Sequence, residues 1–82
     1  MKTIDVTIDG TNYHAINVLN KPDNRFIVRT RATSGQKFQL DFNVIHHISY
    51  KKDGETVTLN GLLKSTGNNV KIADAEFLIV DE

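Results

Sequence analysis

His46 and His47 stand side by side, and imidazole is both the commonest metal ligand and the side chain that ordinarily titrates nearest neutrality. Neighbouring residues in a strand point to opposite faces, so one metal shared by this pair needs a kinked backbone and a third ligand. His14 is the only other histidine, and no His-x-x-x-His spacing occurs. The expectation is therefore structural, with one histidine on the surface and one hydrogen-bonded in the core, and neither metal nor cofactor is expected. Paired carboxylates would have to come from Asp5, Asp9, Asp41, Asp53, Glu55, Asp74 or Glu76. Asp9 and Asp53 precede glycines, where a carboxylate ordinarily caps its own turn. Asp41 is assigned to Arg29 across a hairpin, and Asp5 to a wet strand face between Thr3 and Thr7. Nothing separates a general acid from a general base by environment.

Lys64-Ser65-Thr66-Gly67 lacks the preceding glycines and the following helix of a phosphate loop, and Ser34 and Ser49 lack a Gly-x-Ser-x-Gly elbow. No enzyme is expected. The remaining candidate is a basic strip: residues 21–37 carry Lys21, Arg25, Arg29, Arg31 and Lys37 against Asp23 alone, while the whole chain has a net charge of zero. Alternation puts Arg25, Arg29 and Arg31 on one strand face with Ile27 between them, and Lys37 at the hairpin end. Such a face can track phosphates, with Tyr13 and Tyr50 as the aromatic surfaces for stacking. The candidate binding residues are thus Arg25, Arg29, Arg31, Lys37 and Tyr13. An overall neutral domain is a poor starting point for a dedicated nucleic-acid binder, and a charged outer face also blunts edge pairing.

The elements that must position these groups are read from period-two alternation cut by turn residues: Asp9-Gly10, Lys21-Pro22-Asp23-Asn24, Ser34-Gly35, Lys51-Lys52-Asp53-Gly54 and Gly67-Asn68-Asn69. Residues 3–8 put Ile4, Val6 and Ile8 on one face. Residues 12–19 follow, and a three-residue loop pairing Ile4 with Ile16 and Val6 with His14 is favoured over a two-residue loop pairing Val6 with Tyr13. Residues 25–33 and 38–44 are expected to form the best-specified hairpin, with Ala32 opposite Phe38, Thr30 opposite Leu40, Val28 opposite Phe42 and Phe26 opposite Val44. On its other face Arg29 meets Asp41 and Arg31 meets Gln39. Ile45 and Ile48 are three apart, which predicts a 3₁₀ turn near 43–46. Ile48 and Tyr50 then share a face with Val57 and Leu59. Leu59, Leu62 and Leu63 fit one helical turn before a loop at Ser65 to Asn69. Phe77 to Val80 is a continuous apolar run expected of a covered strand.

At 82 residues with 39% hydrophobic and 24% charged residues, the chain has the composition of one globular domain spanning 1–82. Such a domain buries about 60–65% of its unfolded surface. Cysteine is absent, which removes disulfides and thiolate ligands. No apolar run approaches the roughly 18 residues of a membrane span, and no signal segment precedes the first strand. A cytoplasmic setting is expected, the host cytoplasm if the chain is virus- or plasmid-encoded. The fold class is all-β: about six short strands in a small curled antiparallel meander or barrel. In strand count, strong hairpins and 3₁₀ interruption it resembles the small SH3-like or Sm-like barrels, a likeness of shape alone.

The functional expectation is a non-enzymatic binding or assembly module acting on another protein or on copies of itself, joined through the edge strands Ile4–Ile8 and Phe77–Val80. One alternative is nucleic-acid binding by the basic hairpin 25–37. The other is a small phage-type accessory inhibitor or nucleotide-ligand sponge working through the loops at 20–24 or 66–69.

Overall fold

Both Asp-Gly pairs sit where an L-residue is tolerated with positive φ only because its side chain is short and polar: Asp9 at 51° and Asp53 at 52°, followed by Gly10 at 85° and Gly54 at 83°. Two successive positive φ values make a tight two-residue hairpin turn whose twist matches that of the strands it joins. In the computed structural model, which describes residues 3–31, 38–68 and 71–80, these turns join two of the hairpins. The described residues form seven strands: β1 (Ile4–Ile8), β2 (Thr11–Ala15), β3 (Asn17–Lys21), β4 (Arg25–Arg31), β5 (Ile45–Lys52), β6 (Glu55–Asn68) and β7 (Ile72–Ile79). They pair antiparallel in a single sheet of order β2-β1-β5-β6-β7-β4-β3. The described residues include no helix, and so none long and apolar enough to cross a membrane.

The two edge strands, β2 and β3, are neighbours in the chain and are separated by Ile16 alone. The sheet therefore curls until its edges meet at that corner, where the Ile16 amide donates to the Arg29 carbonyl at 2.8 Å. It remains an open curled meander and does not close into a barrel. Its concave face packs Val6, Ile8, Tyr13, Ala15, Phe26, Val28, Ile48, Tyr50, Leu63, Ala75 and Phe77 into one core. Phe26 and Tyr50 stack at 5.5 Å between ring centroids.

Several sequence expectations hold. Val6 and Ile8 are buried, as are Phe26, Val28 and Thr30, and Ile48 and Tyr50 share the inner face with Val57 and Leu59 through the pairs Ile48 to Leu59 and Tyr50 to Val57.

Others do not. The first hairpin takes the two-residue loop, pairing Val6 with Tyr13 and Ile4 with Ala15. This register turns Tyr13 and Ala15 inward and leaves polar His14 outside, whereas the three-residue register would have buried His14. The expected hairpin between 25–33 and 38–44 does not form. Both edges of β4 are already taken, by β3 through the turn Pro22-Asp23-Asn24 and by β7. Residues 32–37, including Ser34-Gly35 and Lys37, lie outside the described residues. Residues 38–44 are not a strand: Phe38 and Leu40 pack on the core, and Phe42-Asn43 form a turn, with Asn43 at φ 60°, in place of a 3₁₀ helix. The helical turn expected at 59–63 is instead the middle of β6, and Ser65, Thr66 and Gly67 pair with Glu76, Ala75 and Asp74 rather than forming a loop. β1 and β7, expected at the edges, are interior strands.

Gly61 shows how tightly the centre of the sheet is packed. A Cβ there would lie 2.9 Å from Phe77 Cβ and 3.3 Å from Ile48 Cδ1. Because Phe77 Cβ is fixed to the β7 backbone, it cannot rotate away. Gly61→Ala is expected to destabilise the protein by about 1–3 kcal/mol in urea unfolding, the usual cost of overpacking a dense core. An unchanged midpoint would show that β6 and β7 separate at no cost.

Candidate functional site

Alternation along β5 turns His46, Ile48 and Tyr50 inward and Ile45 and His47 outward. His46 is 4% exposed, lies across the ladder from Gly61, and has its ring edge-on to Phe77 with 6.1 Å between centroids. Both ring nitrogens face acceptors. Nδ1 is hydrogen-bonded to Asp9 Oδ2 at the β1–β2 turn, and Nε2 donates to the Asp41 carbonyl at 2.8 Å. Asp9 also holds the next residue: its Oδ1 accepts the His47 amide at 2.9 Å, and its own amide donates to the His47 carbonyl at 2.9 Å. The sequence expectation of one core and one surface histidine is met. The role given to Asp9 is corrected, because its carboxylate reaches across to β5.

Burial alone would disfavour a charged His46. The Asp41 carbonyl and the Asp9 carboxylate outweigh it and raise the ring above its ordinary 6.5. Burial likewise works against an ionised Asp9, yet hydrogen bonds from His46 and the His47 amide hold the carboxyl below its ordinary 3.8. Both shifts favour the imidazolium–carboxylate form of the pair. With both nitrogens engaged, His46 has none left for a substrate or a metal. Among the described residues no group of three or more His, Cys, Asp or Glu side chains is arranged to hold a metal ion.

The basic strip is only partly assembled. Arg29 lies opposite Asp74 on β7, not Asp41, and donates from Nε and Nη2 to Oδ1 and Oδ2 at 2.9 and 3.2 Å, which keeps it firmly protonated. Arg25 and Arg31 are exposed at opposite ends of β4, and Arg25 Nε donates to the Pro22 carbonyl at 3.3 Å. Tyr13, expected on the surface, is 5% exposed with its ring 5.1 Å from that of Phe38, and Tyr50 is also buried. Neither tyrosine therefore serves as a stacking platform for the arginines. His14, expected near the inner face, is exposed with Nδ1 2.8 Å from Asp5 Oδ1.

Periodicity did not reveal an exposed apolar stretch that leads into a row on the convex face. Phe42, Val44 and Ile45 are 52, 48 and 41% exposed. Ile45 pairs with Leu62, Leu62 with Leu78, Leu78 with Arg25, and Arg25 with Lys21, all on the face opposite the core. The row runs from exposed hydrocarbon through half-buried leucines to two cations. The signal available in the sequence was Phe42-Asn43-Val44-Ile45, where the alternation breaks and both phases are apolar. On the other half of the convex face, an open groove of about 480 Å³ is lined mostly by polar side chains, among them Thr3, Asp5, Thr7 and Ser49, together with Ile4 and Tyr50. Compared with known protein families, curated proteins and solved structures, the chain matches none.

The paired shifts fix how stability depends on pH. Because the His46 value is raised by folding, its contribution is complete below 6.5 and is lost as pH rises through the folded value. Because the Asp9 value is lowered, its contribution is complete above 3.8 and is lost as pH falls through the folded value. Urea midpoints are expected to plateau between those limits and to fall on both sides. Asp9→Asn should lower the plateau by about 1–3 kcal/mol, since it leaves a buried donor poorly matched. A flat profile in the parent protein would disprove the ion pair.

Proposed function

We propose that this protein is a non-enzymatic binding module that docks a partner protein on its convex face, along Ile45, Leu62, Leu78, Arg25 and Lys21 with Phe42 and Val44 beside them. The observation that carries the reading is the exposure of three large apolar side chains within four residues, at 42, 44 and 45. Apolar area of this kind, rimmed by polar groups, marks contact surfaces more often than bare solvent boundary. The cations at one end fit a partner whose own apolar patch is bordered by carboxylates, which would steer encounter and fix register. The engagement of both His46 nitrogens supports a binding role over a catalytic one. The burial of Tyr13 and Tyr50 and the pairing of Arg29 with Asp74 weigh against single-strand nucleic acid as the partner.

The test is capture of partners from a native extract on tagged protein, with and without nuclease, repeated with Ile45→Asp and with Lys21→Glu combined with Arg25→Glu. A retained protein that survives nuclease, disappears with Ile45→Asp and weakens with the charge reversal is expected. A second copy of the chain would register as a concentration-dependent sedimentation coefficient abolished by Ile45→Asp. Retention lost with nuclease, or unchanged in both variants, would overturn the reading.

A further inference from the structure

A neutral imidazole has one N–H and one lone pair, so a buried ring with acceptors at both nitrogens satisfies both only when doubly protonated. His46 is in that position, between the Asp9 carboxylate and the Asp41 carbonyl, with its ring enclosed by the core. The two acceptors belong to different parts of the chain. Asp9 is in the β1–β2 turn. Asp41 lies in the segment 38–44, which joins the rest of the molecule through few described contacts: Phe38 on Tyr13, Leu40 on the core, the Asp41 carbonyl on His46, and the Asn43 amide donating to the Leu63 carbonyl at 3.2 Å.

We propose that His46 is a proton-operated latch for the segment 38–44: the doubly protonated ring holds it down, and loss of one proton releases it. The direction follows from the unequal acceptors. A charge-assisted hydrogen bond to a carboxylate is stronger than one to a neutral carbonyl, so the remaining proton stays on Nδ1 with Asp9. The lone pair exposed on Nε2 then faces the carbonyl oxygen of Asp41, and attraction becomes repulsion. Of the groups around the ring, Asp9 from the β1–β2 turn and Asp41 from the segment itself favour the proton. Phe77 of β7 and Gly61 of β6 carry no charge. The His47 ring points to the opposite face of β5, with Nδ1 2.6 Å from Asn60 Oδ1. The latch thus closes toward acid and opens toward alkali, the reverse of a buried histidine without acceptors.

Phe42 and Val44 lie on the latched segment and directly precede Ile45 of the convex row, so the latch also bears on what flanks that row. That consequence rests on the binding reading; the latch itself does not.

The experiment is an NMR titration of the full chain from about pH 5 to about pH 10, following the His46 ring nitrogens and the exchange protection of individual amides. Protection factors correct for the intrinsic pH dependence of exchange. As His46 passes from the doubly protonated form to the Nδ1–H tautomer, the protection factor of the Asn43 amide is expected to fall about tenfold or more, the scale of one charge-assisted hydrogen bond. The Ile48 amide, in the middle of β5, should keep its protection. Asp9→Asn, which preserves shape and removes the charge, should move both the ring titration and the loss of Asn43 protection to lower pH together. A His46 ring already neutral at about pH 6 would overturn the proposal. So would a ring titration that leaves Asn43 protection unchanged, or an Asp9→Asn variant in which the two transitions separate. None of these readouts involves a partner, so failure of the docking reading leaves the latch standing, and the reverse holds equally.

Discussion

The link between β2 and β3 constrains everything else in this molecule. A sheet whose outermost strands are joined by one residue has no flat solution, because seven strands spaced about 4.8 Å apart would hold their edges well over 20 Å from each other. Ile16 has to be near both edges, so the sheet must roll up. Curling makes the inner face concave, and this allows one sheet with no second layer to bury a core of eleven apolar side chains. It also fixes which positions are small. Gly61, Ala73 and Ala75 lie on the inner face of β6 and β7, where Phe77, Phe26 and His46 need the space.

What the sequence makes legible is local. Alternation names the buried face of β1, β4 and the second half of β5 correctly because side-chain direction depends only on the neighbouring residues. Asp-Gly names the turns because positive φ is a property of those residues. Which strand lies beside which is decided elsewhere. Residues 25–33 and 38–44 have compatible faces, yet β4 instead pairs on both sides with strands whose fit cannot be judged from either pattern alone: β3 across a three-residue turn, and β7 more than forty residues away with Arg29 against Asp74. Facing patterns are permissive, and competition among several permissive pairings settles the topology. The buried histidine was similarly half legible. The sequence reading expects one histidine inside without saying which, because it expects a kink at 43–46; the acceptors of His46 come from β1–β2 and from 38–44, and only the β1–β5 register brings Asp9 there.

The internal ion pair and the non-strand segment have a common cause. β5 pairs with β6 along its whole length and with β1 only from Ile48 to Tyr50, and the chain arriving from 38–44 has no strand partner among the described residues. Backbone groups there lack a ladder, and a buried carbonyl without a donor is costly. His46 supplies the donor for Asp41, and Leu63 the acceptor for Asn43. A serine at 46, with one hydroxyl proton, could serve one acceptor in that space. A ring with two nitrogens serves two, on condition that it is charged, and Asp9 provides the compensating charge.

The two halves of the convex face allow one further discrimination. Across β2, β1, β5 and β6 one outward row reads Asn12, Thr7, Ser49 and Thr58, so the fold is built there with short polar side chains, and threonine supplies strand propensity without exposed hydrocarbon. Across β5, β6, β7 and β4 the corresponding row reads Ile45, Leu62, Leu78 and Arg25. The strands, their pairing and the curl are common to both halves, so the demands of the sheet do not account for the difference. Among the described residues no second layer covers this convex row, in which Leu62 and Leu78 are half-buried and Ile45 is exposed. Packing below the sheet is indifferent to them, since it is completed by Phe77, Leu63 and His46 on the other face. Threonine at these positions would have served the fold as well, and this contrast between the two halves is what the docking proposal rests on.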